Sequence, residues 1–157
     1  MKQLVAYFSA TGNTARTANS LADAIGADVF EIRPAEAYSA EDLNWWNESS
    51  RSTLEMKDPQ ARPEISRKLD RIGEYEKIYV GFPIWWNQAP RIINSFLEGY
   101  DFRGVTIVPF ATSGGSGAEK VKAGLTMSAP GARLLEASLL KADDSYQALS
   151  KWAEAIL

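Results

Sequence analysis

The chain has 157 residues, a length typical of one domain that buries its own hydrophobic core. Its formal net charge of −3 argues against nucleic acid as a partner, and no apolar run is long enough for a transmembrane helix. The sequence contains no cysteine and no histidine, which excludes disulfides, a thiol nucleophile, an imidazole base and an ordinary zinc site. Chemistry must therefore come from carboxylates, hydroxyls or a bound cofactor. The amino terminus lacks the layout of a signal peptide, so we expect a cytoplasmic protein.

The first predicted unit is a strand, a turn and a helix. Residues 4–8 form a continuous apolar run typical of a buried strand, and residues 14–25 carry apolar side chains on one helical face. The turn between them contains Ser9, Ala10, Thr11, Gly12, Asn13 and Thr14. Hydroxyl and amide donors at a helix N-terminus favour an anion, in particular a phosphate. The alternative is that Thr11 or Asn13 only caps the helix, as such residues do in many helices that bind nothing.

Two other phosphate-binding motifs fit this chain less well. The motif G-x-x-x-x-G-K-[ST] is absent, so the sequence lacks the lysine and the magnesium-binding hydroxyl of a nucleotide triphosphatase. The first turn has one glycine where a dinucleotide fingerprint has three. The sequence therefore predicts one phosphate held by neutral donors, with Arg16 as the nearby cation.

The region after the first helix is less regular. A short second strand is predicted at residues 29–32, and an irregular stretch follows from 38 to 62. Loops this long inside a compact domain tend to be functional or mobile. Trp45 and Trp46 lie in this stretch, and we expect them either to anchor it on the core or to cover a ligand. Pro63 and the apolar spacing from 65 to 72 predict a second helix directly after it.

The second half of the chain continues the alternation of strands and helices. The predicted order is a strand at 77–82, a helix at 92–99, a strand at 105–110, a helix at 118–125, a strand region within 134–140 and a closing helix. Ser116 with Glu119 is predicted to cap the fourth helix, and Asp144 with Gln147 the closing one. We therefore predict a single doubly wound α/β domain over residues 1–157, with a five-stranded parallel sheet covered on both faces.

In such a sheet, the turns that follow the strands meet at the carboxyl edge, where ligands bind. The third of these turns contains Pro83, Ile84, Trp85, Trp86 and Asn87. The fourth contains Thr112, Ser113, Gly114, Gly115, Ser116 and Gly117. Aromatic plates and a glycine-lined edge suit a flat ring system, and the first turn adds a phosphate site. FMN fits this description.

The same three turns carry a resemblance to a known family. Residues 9–14 are similar to the flavodoxin phosphate loop, [ST]-x-T-G-x-T. Residues 81–86, with their Pro-Ile-Trp-Trp sequence, and residues 113–117 resemble the two other flavin loops of a short-chain-like flavodoxin branch, and residues 61–65 resemble a further segment of it. The resemblance covers essentially the whole chain.

The resemblance implies strand order 2-1-3-4-5, bound FMN and electron transfer between redox partner proteins, a reductase and an acceptor. It also implies that Ser9, Thr11, Asn13 and Thr14 hold the phosphate. Residues 83–86 would border the isoalloxazine ring, and residues 112–117 would meet its pyrimidine edge. We expect a monomer that binds neither nucleic acid nor a membrane.

One departure from the flavodoxin pattern keeps a second function open. Flavodoxins often have a glycine beside the aromatic residue that stacks on the flavin, whereas Trp86 and Asn87 follow Trp85 here. A positive φ is accessible to asparagine at a higher cost than to glycine. The alternative is an FMN-dependent NAD(P)H:quinone or flavin oxidoreductase, with the pair at 45–46 forming a substrate pocket. A receiver-type regulatory domain is set aside, because apolar and neutral residues stand where it needs acidic ones.

Overall fold

The computed structural model describes residues 2–113 and 115–156. Its strands are β1 (Lys2–Tyr7), β2 (Asp28–Glu31), β3 (Tyr75–Pro83), β4 (Thr106–Thr112), β5 (Arg133–Leu134) and β6 (Ser138–Leu139). Its helices are α1 (Asn13–Ile25), α2 (Arg51–Lys57), α3 (Arg91–Glu98), α4 (Val121–Leu125) and α5 (Tyr146–Glu154). Two short 3-10 turns lie at Ile72–Glu74 and Thr126–Ser128.

The strands form one parallel sheet in the order β2-β1-β3-β4-β5, which confirms the predicted order 2-1-3-4-5. The last strand region consists of two short pieces that both pair with β4. β5 lies beside residues 106–107, and β6 lies beside residues 110–111. The carboxyl ends of β1, β3 and β4 therefore lie side by side, and the turns that follow them share one edge.

The central strands send successive side chains to opposite faces of the sheet. Leu4 and Ala6 join the core beneath α3, whereas Val5 joins a second core beneath α1 and α5. In this second layer a side chain at Gly81 would overlap the ring of Phe110, so glycine is needed for the close packing. Among the helices within residues 2–113 and 115–156, none has both the length and the apolar character needed to cross a bilayer.

The connection between β2 and β3 differs from the predicted helix at 63–72. Residues 63–71 run without helical structure, and the helix of this connection is α2, earlier in the chain. The backbone of residues 64–66 pairs with that of residues 33–35: Ala35 N–H donates to the Glu64 carbonyl at 2.8 Å, and Ser66 N–H donates to the Arg33 carbonyl at 2.8 Å. These bonds take the backbone groups that a helix would have used, so tertiary pairing outweighs the local apolar period.

Both predicted capping pairs are wrong. α4 begins at Val121 without a side-chain cap, and the Ser113 hydroxyl instead donates to the Ser116 carbonyl at 2.7 Å. The cap of α5 is Ser145, whose hydroxyl accepts from Ala148 N–H at 3.1 Å. Asp144 accepts instead from the backbone of Lys141, one turn before the helix. Ser145 thus accepts the capping hydrogen bond that was predicted for Asp144, one position earlier in the chain.

Candidate functional site

The first turn leaves the N-terminus of α1 without a side-chain cap. The capping position is Gly12, with φ 99°, in the left-handed region that favours glycine. The Ser9 hydroxyl accepts from Gly12 N–H at 3.0 Å and closes the turn. Thr11 and Asn13 are exposed and do not cap the helix, so the capping-only interpretation is wrong. Since the first N–H groups of a helix have no partner within it, the N–H groups at this turn can donate hydrogen bonds to an anion.

Hydrogen bonds join the first, third and fourth turns and the strand ends that precede them. The hydroxyls of Thr14 and Thr112 lie 2.7 Å apart, and Thr14 is buried, with 1% of its surface exposed. Ile84 N–H donates to the Thr112 carbonyl at 3.0 Å, and Phe8 N–H donates to the Gly81 carbonyl at 2.9 Å. The structure thus brings the three predicted turns together, with Thr112 at their meeting point.

The third turn is a two-residue hairpin. Trp85 N–H donates to the Gln88 carbonyl at 2.9 Å, and Gln88 N–H donates back to the Trp85 carbonyl at 3.0 Å. The two central residues, Trp86 and Asn87, have φ values of 50° and 64°. Positive φ at both central positions is the geometry of a type I′ turn, which asparagine tolerates and tryptophan adopts rarely. The hairpin therefore holds Trp86 in a strained conformation, with 41% of its surface exposed.

The fourth turn lies beyond β4 and exposes its backbone. Ser113, Gly115 and Ser116 are exposed, and the Ser113 hydroxyl accepts from Gly115 N–H at 3.1 Å. A side chain at Gly115 would meet nothing within 4 Å, so the space beside it is open. At Gly117 a side chain would overlap the carboxylate of Glu119. Gly114 lies outside the described residues.

A cluster of aromatic rings supports the first and third turns from below. Tyr38 lies 5.6 Å from the ring of Phe8 and 5.3 Å from that of Trp85, and Phe8 and Trp85 are 5.7 Å apart, all in edge-to-face contact. The Tyr38 hydroxyl donates to Glu55 at 2.5 Å. Burial and this hydrogen bond raise the pKa of Tyr38 far above its usual value, so the phenol stays protonated. Trp85 is thus fixed by two rings, unlike Trp86.

Tyr38 and Glu55 belong to a longer connecting segment (residues 36–58) that leads from β2 into α2. Arg51 binds this segment together: its guanidinium lies 3.8 Å above the Tyr38 ring, donates to Glu55 at 3.1 Å and donates to the Glu36 carbonyl at 2.8 Å. Ser50 caps α2. The connecting segment is therefore ordered by contacts of its own and packs against the third turn through Tyr38.

Trp45 and Trp46 do not anchor the connecting segment on the core. Their rings stack on each other at 4.1 Å, and they are 59% and 79% exposed. Of the two predicted roles, the anchoring one is wrong, and the covering one stays a prediction. A substrate pocket at Trp45 and Trp46 would also not gain Arg51 as a cation, because the guanidinium of Arg51 is engaged within the segment.

A second arginine attaches the connecting segment to the third turn. Arg91, the first residue of α3, is 7% exposed and donates to the carbonyls of Glu55 at 3.3 Å and Met56 at 2.8 Å, in the last turn of α2. It also donates to the Gln88 side chain at 3.4 Å. Burial, and then the nearby Arg62, lower the pKa of Arg91.

The chemistry of the edge is that of a binding site. No group of histidine, cysteine or carboxylate side chains suited to a metal ion occurs in residues 2–113 and 115–156. The described turns instead offer hydroxyls, backbone N–H groups, indole rings and glycine backbone. Such groups can hold an anion at one end and a planar ring at the other.

Comparison with known proteins gives this edge its context. Residues 2–156 match the family model described as flavodoxin. This chain belongs to the flavodoxin family. Among curated proteins, none matches the sequence.

Solved structures agree with the assignment to the flavodoxin family. A candidate flavoprotein from Bacteroides eggerthii is 47% identical, with 99% of this chain and 97% of that chain covered and a TM-score of 0.93. A second, from Bacteroides uniformis, is 47% identical, with 98% and 97% covered and a TM-score of 0.91. A flavoprotein from Lactobacillus acidophilus in complex with FMN is 20% identical, with 97% and 98% covered and a TM-score of 0.75, a likeness of fold.

Three residues beside the site of this flavodoxin-family chain were missed by sequence reasoning. Tyr38, Gln88 and Arg91 contact the third turn or the connecting segment. Gln88 lies in the predicted turn at 83–90, directly after the predicted flavin-binding residues, and was within reach of the sequence. Tyr38 and Arg91 carry no local signal, because their roles depend on the path of the connecting segment.

Proposed function

We propose that this protein binds one FMN at the three turns and carries electrons between redox partner proteins, as a monomer. The observation that carries the proposal is the uncapped N-terminus of α1, next to a hairpin with an exposed indole. Family membership supports a flavin, and the Lactobacillus acidophilus structure, a relative in fold, contains FMN. When bound, FMN supplies the redox chemistry, and the protein supplies binding and electrostatics.

The first turn fits a single phosphate. Its hydroxyl and amide side chains, Ser9, Thr11 and Asn13, surround a helix end, and Gly12 leaves open space where a side chain would stand. Thr14 stands behind this turn and connects it to Thr112. A second phosphate has no comparable cradle in the described turns, which favours a mononucleotide.

The third and fourth turns fit a planar ring system. Trp86 is the better candidate to stack on the isoalloxazine, because it is more exposed than Trp85, which is held between Phe8 and Tyr38. The backbone around Gly115 and Ser116 is open to the pyrimidine edge of the ring. These residues would orient the flavin and limit the access of water to it.

We expect the purified protein to be yellow and to contain about one FMN per chain without FAD, because the first turn holds one phosphate. Mass spectrometry of the released cofactor, with absorbance to count it, measures both identity and ratio. Recovery of FAD, or an apoprotein that ignores added FMN in a calorimetric titration, would contradict this proposal.

The connecting segment supports electron transfer to proteins over turnover of NAD(P)H. Residues 36–58 contain six carboxylates and two cations, so this flank of the site is negative. A negative flank disfavours a cofactor with two or three phosphates and favours a partner with a positive surface. The three turns contain no lysine or arginine, and Arg51 is engaged by Tyr38 and Glu55.

Mixing the FMN-loaded protein with NADH or NADPH is expected to leave the flavin oxidised for minutes, since the three turns contain no lysine or arginine to bind the cofactor's phosphates. Anaerobic stopped-flow absorbance measures the rate of flavin bleaching, and chemical reduction of the same sample is the positive control. Bleaching within seconds, accelerated further by a quinone, would favour the alternative reductase. In that case the exposed pair Trp45–Trp46 becomes the first place to seek a substrate site.

A further inference from the structure

Arg91 has an unusual position for a buried cation. It is 7% exposed, and its hydrogen-bond partners are carbonyl oxygens: the backbone carbonyls of Glu55 and Met56 and the side-chain oxygen of Gln88. Within residues 2–113 and 115–156, no carboxylate lies within ion-pair distance of its guanidinium. Its hydrogen-bond partners are all neutral, and the charge of Asp58 acts on it from beyond ion-pair distance, so we infer that these hydrogen bonds hold the buried side chain in place.

The partners of Arg91 lie on two separate parts of the chain. Glu55 and Met56 are in the last turn of α2, where the helix end favours a cation; the Glu55 carbonyl also accepts from Asp58 N–H at 3.2 Å. Gln88 closes the hairpin of the third turn through its own backbone. One guanidinium therefore connects the connecting segment to the hairpin that bears Trp85 and Trp86.

The connection continues through the aromatic cluster. Glu55, whose carbonyl accepts from Arg91, also accepts the Tyr38 hydroxyl through its carboxylate, and the Tyr38 ring contacts Trp85. The hairpin is thus held at both ends. Arg91 donates a hydrogen bond to the Gln88 side chain, and the Tyr38 ring packs against Trp85. Loss of Arg91 would remove the hydrogen bonds that join the end of α2 to Gln88.

We propose that Arg91 is a positioning residue for the flavin site: by binding α2 and Gln88 together, it holds the Trp85–Gln88 hairpin in the strained conformation that presents Trp86. This inference rests on the proposed binding of FMN for its effect on the cofactor. Its effect on the hairpin does not depend on FMN. The positive φ of Trp86 needs such outside support, because the residue does not favour that conformation by itself.

Arg91→Met is the direct test, with two readouts. In the apoprotein, hydrogen exchange of the Trp85 and Gln88 amides, which bond across the hairpin, is expected to accelerate by about tenfold or more, the scale of one lost hydrogen bond to a charged group. In the FMN-loaded protein, the dissociation constant is expected to rise by a similar factor, and the visible circular dichroism of the flavin to change. Arg91→Lys keeps the charge but not the several N–H donors of the planar guanidinium. Its effect on each readout is expected to be smaller than that of Arg91→Met.

Arg62→Met is the matched control. Arg62 also joins the connection between β2 and β3 to α3: it donates to Glu98 of α3 at 2.9 Å and, within the connection, to the carbonyls of Pro59 at 2.9 Å and Ala61 at 2.7 Å. None of these described contacts involves the hairpin. The Arg62→Met variant is expected to lower the melting temperature and to leave the hydrogen-exchange rates of the hairpin amides and the FMN affinity unchanged. Equal effects of the two variants would overturn the proposal, because they would reflect general loosening of the connection.

Gln88→Met keeps the proposal testable if Arg91→Met does not fold. It removes the acceptor that joins Arg91 to the hairpin and is expected to accelerate exchange at Trp85 in the apoprotein. Wild-type exchange rates in Gln88→Met would overturn the role of Arg91. An unmodified protein that binds no FMN would contradict the proposed function instead, and the apoprotein exchange data would still decide the role of Arg91.

Discussion

Trp86→Ala is expected to brighten the fluorescence of bound flavin and to weaken FMN binding by about 1–3 kcal/mol, the scale of one stacked aromatic ring. Trp85→Ala is expected to lower the free energy of unfolding by about 3–5 kcal/mol, as for other large aromatic residues in packed surroundings. The difference follows from their contacts. Trp85 lies between Phe8 and Tyr38, whereas Trp86 is 41% exposed on the hairpin. Flavin fluorescence, FMN titration and chemical denaturation separate the two roles.

Trp46→Ala is the control for these variants. Trp46 is the most exposed of the four loop tryptophans at 79%, and it stacks on Trp45 rather than on the third turn. It is expected to leave the bound flavin unchanged. Brightening in Trp46→Ala would show that the connecting segment covers the ring, and an unaltered flavin spectrum in both Trp85 and Trp86 variants would remove the stacking assignment altogether.

Thr14→Val is expected to weaken FMN binding by about 1–3 kcal/mol, the cost of leaving the partner of a buried hydrogen bond unsatisfied. Valine has the shape of threonine but leaves the Thr112 hydroxyl without its partner at 2.7 Å. Because Thr14 is buried, its hydroxyl lies at the junction of the first turn and β4, between the proposed phosphate end and the proposed ring end of the site. Calorimetric titration of the apoprotein with FMN gives the change.

Thr17→Val controls for the same chemical change one turn later. Thr17 is also buried in α1, and its hydroxyl donates to the Asn13 carbonyl at 3.3 Å, within the helix itself. We expect Thr17→Val to alter thermal stability slightly and FMN affinity by less than about threefold, below the scale of one hydrogen bond. A loss in Thr14→Val no greater than this would mean that the backbone amides and the helix end hold the phosphate.

The sheet and its flanking helices were predictable because their signals are local. Continuous apolar runs such as residues 78–82 and 107–111 indicate buried parallel strands, and their alternation with helices leaves few arrangements. The helix predicted at 63–72 failed for a non-local reason, namely the pairing of residues 64–66 with 33–35. α2 was missed because its buried face is Ser52, Thr53 and Met56, which no apolar period can identify.

In the candidate site too, the features with local sequence signals were predicted and those that depend on distant contacts were not. The three turns were located in the sequence because each directly follows a strand, and the topology then places them at one edge. The contact between Thr14 and Thr112 and the support given by Tyr38 and Arg91 join residues far apart in the chain. Their pairing depends on three-dimensional packing, for which a single sequence offers no pattern.

The two outer borders of the sheet are both short. On one side β2 offers residues 28–31, and on the other β5 and β6 offer two residues each, interrupted between them. Long, uninterrupted strand borders are the templates on which other chains add and aggregate. Each outer strand of this sheet has too few successive backbone N–H and C=O groups for a strand of another chain to form a stable series of hydrogen bonds with it. The division of the last strand, which leaves the carboxyl edge of β1, β3 and β4 intact, is therefore also expected to disfavour growth of the sheet from one folded molecule to the next.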